Sequence, residues 1–223
     1  MYIQSLAISK IIHGGYGLGR LADGRVVMVR GVLPDEEVTV SITIEQGQAW
    51  GKVEKINRPS PARISPPCPY YGRCGGCDLQ HGDYASQLTI KRAVVTDLLS
   101  RSPAPAIRAS AALVSSPLAS PDIFHYRQRI RLEKAGHHHL GFRKFHTHEV
   151  LPISRCLLAR EELNTVLAAL PTVTAFSRLL TITLEVELLL NPGSGKVVGL
   201  FHLRRPPPPN RSRPGPADRR RPA

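Results

Sequence analysis

Cys68, Cys74 and Cys77, in the run PPCPYYGRCGGC, and Cys156, in SRCLL, are all the cysteines the chain has. A C-x5-C-x2-C triplet with one distant partner supplies four thiolates, the ligand set of a tetrahedral zinc ion or a cubane iron–sulfur cluster. The short gap between Cys74 and Cys77 lets one tight turn aim two sulfurs at a single centre. Gly75 and Gly76 fill that gap, and without a Cβ the backbone can approach closely and turn N–H groups toward sulfur. Pro66, Pro67 and Pro69 make a helix on the approach unfavourable. No secretory leader is read at the start of the chain, so a reducing, cytoplasmic setting is expected, with thiols rather than two disulfides. Structural zinc usually takes two close pairs. The solitary Cys156 therefore favours a cluster, while spacing alone leaves zinc open.

The next chemistry-bearing run is His125-Tyr-Arg-Gln-Arg-Ile-Arg-Leu132. In an extended strand, Arg127, Arg129 and Arg131 share one face, and three adjacent guanidinia need solvent or an anion opposite them. Phosphate is the natural counter-ion, and Arg143 and Lys144 extend the basic set; the plainer alternative is a solvated face paired locally with Glu133. Other runs carry less. His137-His138-His139 reads as a solvated turn, because adjacent histidines point in different directions. Asn191–Lys196 fails as a phosphate loop, with Leu190 where the first glycine belongs and Val197 in place of Ser/Thr. The Gly14–Gly19 run does not fit a dinucleotide fingerprint. No nucleophile–base pair can be argued, since every cysteine is committed to the metal set and no serine sits in an elbow motif. No catalytic residue is assigned.

These side chains need elements to position them. Residues 1–58 alternate short apolar runs with turns: an apolar segment over Tyr2–Ile12, a glycine turn at Gly14–Gly19, and strands at Arg25–Arg30, Glu37–Ile44 and Gln48–Ile56. Such spacing predicts a small closed sheet. Residues 59–101 hold the cysteine loop and a helix over Asp83–Ser100, with Asp83 as N-cap and Tyr84, Leu88, Val95, Leu98 and Leu99 on its apolar stripe. Residues 102–121 read as an Ala/Pro/Ser-rich linker. In 122–203, strands are expected at His125–Leu132 and Leu140–Arg143, a helix at Arg160–Leu170 before Pro171, and a hairpin of Leu179–Leu190 with Lys196–Leu203. The alternation there puts Ile182, Leu184, Val186 and Leu188 on one face and Thr181, Thr183, Glu185 and Glu187 on the other. The fold class is thus mainly β with α+β character.

The formal charge of +13 over 223 residues points to a polyanionic partner. Residues 204–223, rich in Arg and Pro, supply +6 of it and lack the apolar content to fold, so they read as a disordered tail; the rest keeps +7. No apolar run reaches membrane-span length, and no membrane association is expected.

Together these motifs resemble one family. HGGYGLGRLADGRVVMVRGVLPDEEV looks like part of a TRAM domain, an OB-like five-stranded RNA-binding barrel. PSPARISPPCPYYGRCGGCDLQHGDYASQLTIKR is similar to the cluster loop and helix of RumA-like 23S ribosomal RNA (uracil-5-)-methyltransferases, and HYRQRIRL and LGFRKFHTHEVLPISRC resemble the strands that follow. The resemblance implies a [4Fe–4S] cluster on Cys68, Cys74, Cys77 and Cys156, ribosomal RNA as partner, and a monomeric protein. Family enzymes continue into a domain with S-adenosylmethionine, a catalytic cysteine and a general-base glutamate. This sequence shows none of these. The resemblance therefore implies a truncated, inactive methyltransferase, or alternatively a stand-alone RNA-binding metalloprotein. An electron carrier fits less well, because nothing indicates a redox partner.

Overall fold

A computed structural model describes residues 2–136 and 138–204. The expected disordered tail beyond Arg204, and His137, lie outside the described residues. The fold is mixed: two β-sheets and four α-helices, with one hydrophobic core under each sheet.

The first sheet contains β1 (Tyr2–Ala7), β2 (Lys10–Ile12), β3 (Tyr16–Arg20), β4 (Val26–Arg30), β5 (Glu37–Glu45) and β6 (Gln48–Arg58), in the order β1-β5-β6-β4-β3-β2. Alternation in β4 and β5 turns Val27, Val29, Val38, Val40 and Ile42 inward, all fully buried. Six strands stand where five are expected, because the apolar run Tyr2–Ile12 breaks at Ile8–Ser9. There the Ile8 N–H donates to the Glu36 carbonyl (2.9 Å) and the Ser9 N–H to the Leu18 carbonyl (2.8 Å). The two edge strands are thus consecutive pieces of one segment, and the sheet curls back to its own beginning.

The glycine run also divides. Gly14 and Gly15, at φ +84° and +74°, make the turn, whereas Gly17 and Gly19 are strand residues of β3. Gly17 faces inward, where an added Cβ would lie 2.3 Å from Val32 Cγ2.

Helix α1 (Tyr84–Ser100) begins where the sequence places it, with Asp83 Oδ1 accepting the Ser86 N–H at 2.7 Å. Its expected stripe is wrong in part. Ile90 is the buried residue and packs with Val94 on the first core, while Val95 and Leu98 are nearly half exposed. The helix is covered on one side by the first sheet and on another by residues 105–113, so its apolar residues follow no single stripe. Those residues are not a plain linker: α2 (Pro105–Ala109) and a 3-10 turn (Ser110–Leu113) pack on α1.

The second sheet has the order β11-β10-β7-β8-β9, from β7 (Arg129–Ala135), β8 (His139–Arg143), β9 (Val150–Pro152), β10 (Thr183–Leu190) and β11 (Val197–Leu203). Helices α3 (Glu161–Ala169) and α4 (Thr174–Ile182) cover its apolar face through Leu163, Leu167, Phe176 and Leu180. The hairpin of β10 and β11 forms as expected, closed by the Asn191 N–H to the Lys196 carbonyl at 2.8 Å. Its first strand starts late. Phe176 and Leu180, four residues apart, bury together as a helix would require, and Leu179–Ile182 belongs to α4. A register shift between Thr183 and Glu185 then exposes Leu184 and buries Thr183 and Glu187, against the expected faces. Among the described residues no single helix is long and apolar enough to cross a membrane.

Candidate metal centre and its basic surroundings

Two short turns shape the cysteine loop. The Tyr71 N–H donates to the Cys68 carbonyl (3.1 Å) and the Cys74 N–H to the Tyr70 carbonyl (2.8 Å). The loop docks on the end of β8, where the Gly75 N–H donates to the Arg143 carbonyl at 2.9 Å. A Cβ on Gly75 would stand 3.1 Å from that oxygen, so the missing side chain permits the docking. Cys156 is held by α3. Asn164 on α3 accepts its N–H (2.8 Å) and donates to its carbonyl (3.1 Å), so one side chain satisfies both backbone groups.

This scaffold brings all four cysteines to the wall of one cavity of about 70 Å³, whose other faces include Tyr70, Phe142, Ile153 and Leu157. All four are free thiols, each partly buried. Burial pushes Cys74 up, and pushes Cys77 up to about 11 against a hydrogen bond from the Gln80 side chain, so both are protonated thiols in the absence of metal. Among the described residues no three His, Cys, Asp or Glu side chains are spaced to hold a metal ion directly.

Gln80 escapes notice in the sequence, where only its position after the cysteines marks it. It is buried, its amide reaches Cys77, and its Oε1 has no hydrogen-bond partner. His81, also buried, ties the loop to the first sheet: its Nε2 lies 3.0 Å from the Val32 carbonyl, which can only accept, and its Nδ1 lies 2.5 Å from the Tyr71 hydroxyl. Burial depresses His81 and raises Tyr71 to about 12. A second tie runs from Arg30, which pairs with Asp78 and lies over the Phe145 ring. Around it Tyr16 meets Trp50 edge-on at 5.3 Å and its hydroxyl reaches His146 Nε2 at 2.9 Å.

The five basic residues singled out in the sequence separate into two kinds. Arg129 and Arg131 lie on β7, where the anion opposite them is the buried Glu187 carboxylate: Arg131 Nη2 is 2.6 Å from Oε1 and Arg129 Nη2 2.8 Å from Oε2. These bonds from Arg129 and then Arg131 hold Glu187 down to about 2. Arg143 pairs with Glu133 (2.6 Å) and Lys144 with Glu149 (2.5 Å). Arg127 falls before the strand, in an isolated bridge to Ala159, and its side chain has no partner among the described residues. It lines the cysteine cavity.

No protein-family model matches the chain. It is 35% identical over 181 residues to the 23S rRNA (uracil(1939)-C(5))-methyltransferase RlmD of Shewanella amazonensis, covering 78% of this chain and 39% of that protein. It is 36% identical over 160 residues to an uncharacterized RNA methyltransferase of Thermotoga maritima, covering 71% of this chain and 35% of the relative. The chain thus spans less than two fifths of the length of these two curated relatives. In fold it resembles the Pyrococcus abyssi tRNA (uracil-54, C5)-methyltransferase, solved with S-adenosyl-L-homocysteine, at a TM-score of 0.64 and 20% identity over 92% of this chain and 47% of that one.

Proposed function

We propose that this stretch is the RNA-binding, cluster-carrying part of an S-adenosylmethionine-dependent RNA uracil-C5 methyltransferase acting on ribosomal RNA. The observation that carries the reading is the gathering of Cys68, Cys74, Cys77 and Cys156 at one cavity, in a chain whose relatives are RNA methyltransferases. Three cysteines close in sequence with one distant partner favour a polynuclear iron–sulfur centre over structural zinc, which usually takes two close pairs. All four thiols line one cavity, Asn164 satisfies the backbone of Cys156, and the Gln80 amide reaches Cys77. The cluster's role is structural: it joins the loop at 68–77 to the segment at 156 and so fixes the two sheets for RNA. The first sheet takes the part of an OB-like RNA-binding barrel, with Arg127, Arg129, Arg131, Arg143 and Lys144 on the neighbouring basic surface. No residue of this stretch has a chemical role in methyl transfer.

Anaerobic purification tests the centre. The expected protein is brown, with broad visible absorbance and about four irons per chain, and Cys156→Ser loses the iron. Colourless protein with one zinc rejects the cluster. A second reading, an RNA-binding metalloprotein without catalysis, is favoured by the placement of all four cysteines at one cavity, which leaves no thiol for nucleophilic attack in this stretch. Transfer of labelled methyl groups from S-adenosylmethionine to RNA by the chain itself would reject it.

A further inference from the structure

Beside the cysteine cavity lies a larger one, of about 380 Å³, between the cysteine loop, α1 and residues 120–127. We propose that it binds one nucleotide of single-stranded RNA, with phosphate on Lys91 and Arg127 and the base against Tyr126 and Phe124. This rests on the RNA-binding reading above and names a binding site within it.

Its walls follow from helix and strand geometry. Tyr84, Gln87 and Lys91, spaced three and four apart, line it from one face of α1. Opposite stand Phe124, Tyr126 and Arg127. In a continuous strand Tyr126 and Arg127 would point to opposite sides, yet both line this cavity. The two do not stand in a regular strand: β7 begins only at Arg129, Arg127 makes an isolated bridge to Ala159, and His125 just before them stands at φ +56°. That unfavourable backbone is held by the His125 N–H to the Leu157 carbonyl and the Arg127 N–H to the Leu158 carbonyl, both at 2.8 Å.

The charges point to an anion. Neither Lys91 nor Arg127 has a side-chain hydrogen bond or ion pair among the described residues, whereas Arg129, Arg131, Arg143 and Lys144 all have carboxylate partners. Two carboxylates share the cavity wall. Asp78 is matched by Arg30, leaving Asp122 against two cations and a net charge of +1. The rings separate a nucleotide from a simple anion. Tyr126 is 48% exposed, an apolar face left open next to two unpaired cations. Cations following a backbone, with aromatic faces for bases, make up the general chemistry of single-strand recognition.

The test is anisotropy of a short labelled oligouridylate over a salt series, with the full chain purified anaerobically. Lys91, Tyr126 and Arg127 are exposed, so their replacement leaves both cores intact. Lys91→Gln and Arg127→Gln should each weaken binding about tenfold and flatten the log–log salt slope by about 0.7. Lys134→Gln, an equal loss of charge near the far end of β7, should change neither. Tyr126→Ala should weaken oligouridylate binding about tenfold and leave inorganic polyphosphate binding unchanged. Variants at Lys91 and Arg127 that match Lys134→Gln in affinity and slope overturn this site while RNA binding stands. A chain that binds no oligonucleotide at any salt overturns the RNA-binding reading itself.

Discussion

Arg63 grips Glu36 with two nitrogens, Nε at 2.5 Å from Oε1 and Nη2 at 2.7 Å from Oε2, across the joint between the first sheet and the approach to the cysteine loop. The carboxylate is fully buried and also accepts the Leu33 and Ser60 N–H groups at 2.9 and 3.1 Å. Burial works to raise its pKa, but the Arg63 and backbone hydrogen bonds outweigh it, and Glu36 ends below the ordinary carboxylate range. A group depressed on folding contributes stability above its unfolded pKa of about 4.3 and loses it as pH falls through the folded value. Glu36→Gln should therefore cost about 3 kcal/mol at pH 7 in a urea titration. The gap from wild type should close as both proteins are acidified below about pH 4. A constant gap down to pH 2 would show that ionisation of Glu36 is not what stabilises the joint.

Cys77 offers a chemical test of the metal-free site. A thiol pushed up to about 11 carries roughly a hundredth of the thiolate of an ordinary cysteine at neutral pH. Iodoacetamide labelling of folded, metal-free protein, followed by mass spectrometry, should modify Cys77 about a hundredfold more slowly than in urea. Equal rates would mean that the cavity is open to water. Adding iron and sulfide, or zinc, should release protons as the thiols become ligands.

Gly17 and Gly24 separate packing from backbone conformation. An alanine Cβ at position 17 meets Val32 Cγ2 at 2.3 Å and Ile8 Cγ2 at 2.9 Å in the first core, whereas at position 24, at φ +86°, it meets nothing within 4 Å. Gly17→Ala should lower stability by about 2–3 kcal/mol through overpacking, and Gly24→Ala by about 1 kcal/mol through the backbone alone. Thermal melts giving the reverse order would be inconsistent with the way β3 packs.

What the sequence made legible is local. Asp83 as N-cap and the turn Asn191–Gly195 are each written within a few residues, and each stands where expected; the cysteine triplet, equally local, lies with Cys156 along one cavity wall. What it hid depends on distant partners. Arg129 and Arg131 look like a free basic stripe until strand register brings Glu187, more than fifty residues on, opposite Arg131. The local candidate, Glu133, is taken by Arg143 instead. Ile90 becomes the buried residue of α1 because a sheet built from the first 58 residues lies against it, which helical periodicity cannot reveal. Arg127 parts from Arg129 and Arg131 because β7 begins only at Arg129, while Arg127 bridges instead to Ala159, far along the chain.

The hold of Asn164 on both backbone groups of Cys156 has a consequence for the order of events at the ribosome. The first three thiols emerge well before the fourth can be positioned, since about 87 residues separate Cys77 from Asn164. At 5–20 residues per second this is a delay of roughly 4 to 17 s. During it the nascent chain presents three thiols and no fixed fourth. Whatever is delivered to this site must therefore arrive after α3 has folded, or wait half-bound on an unfinished chain.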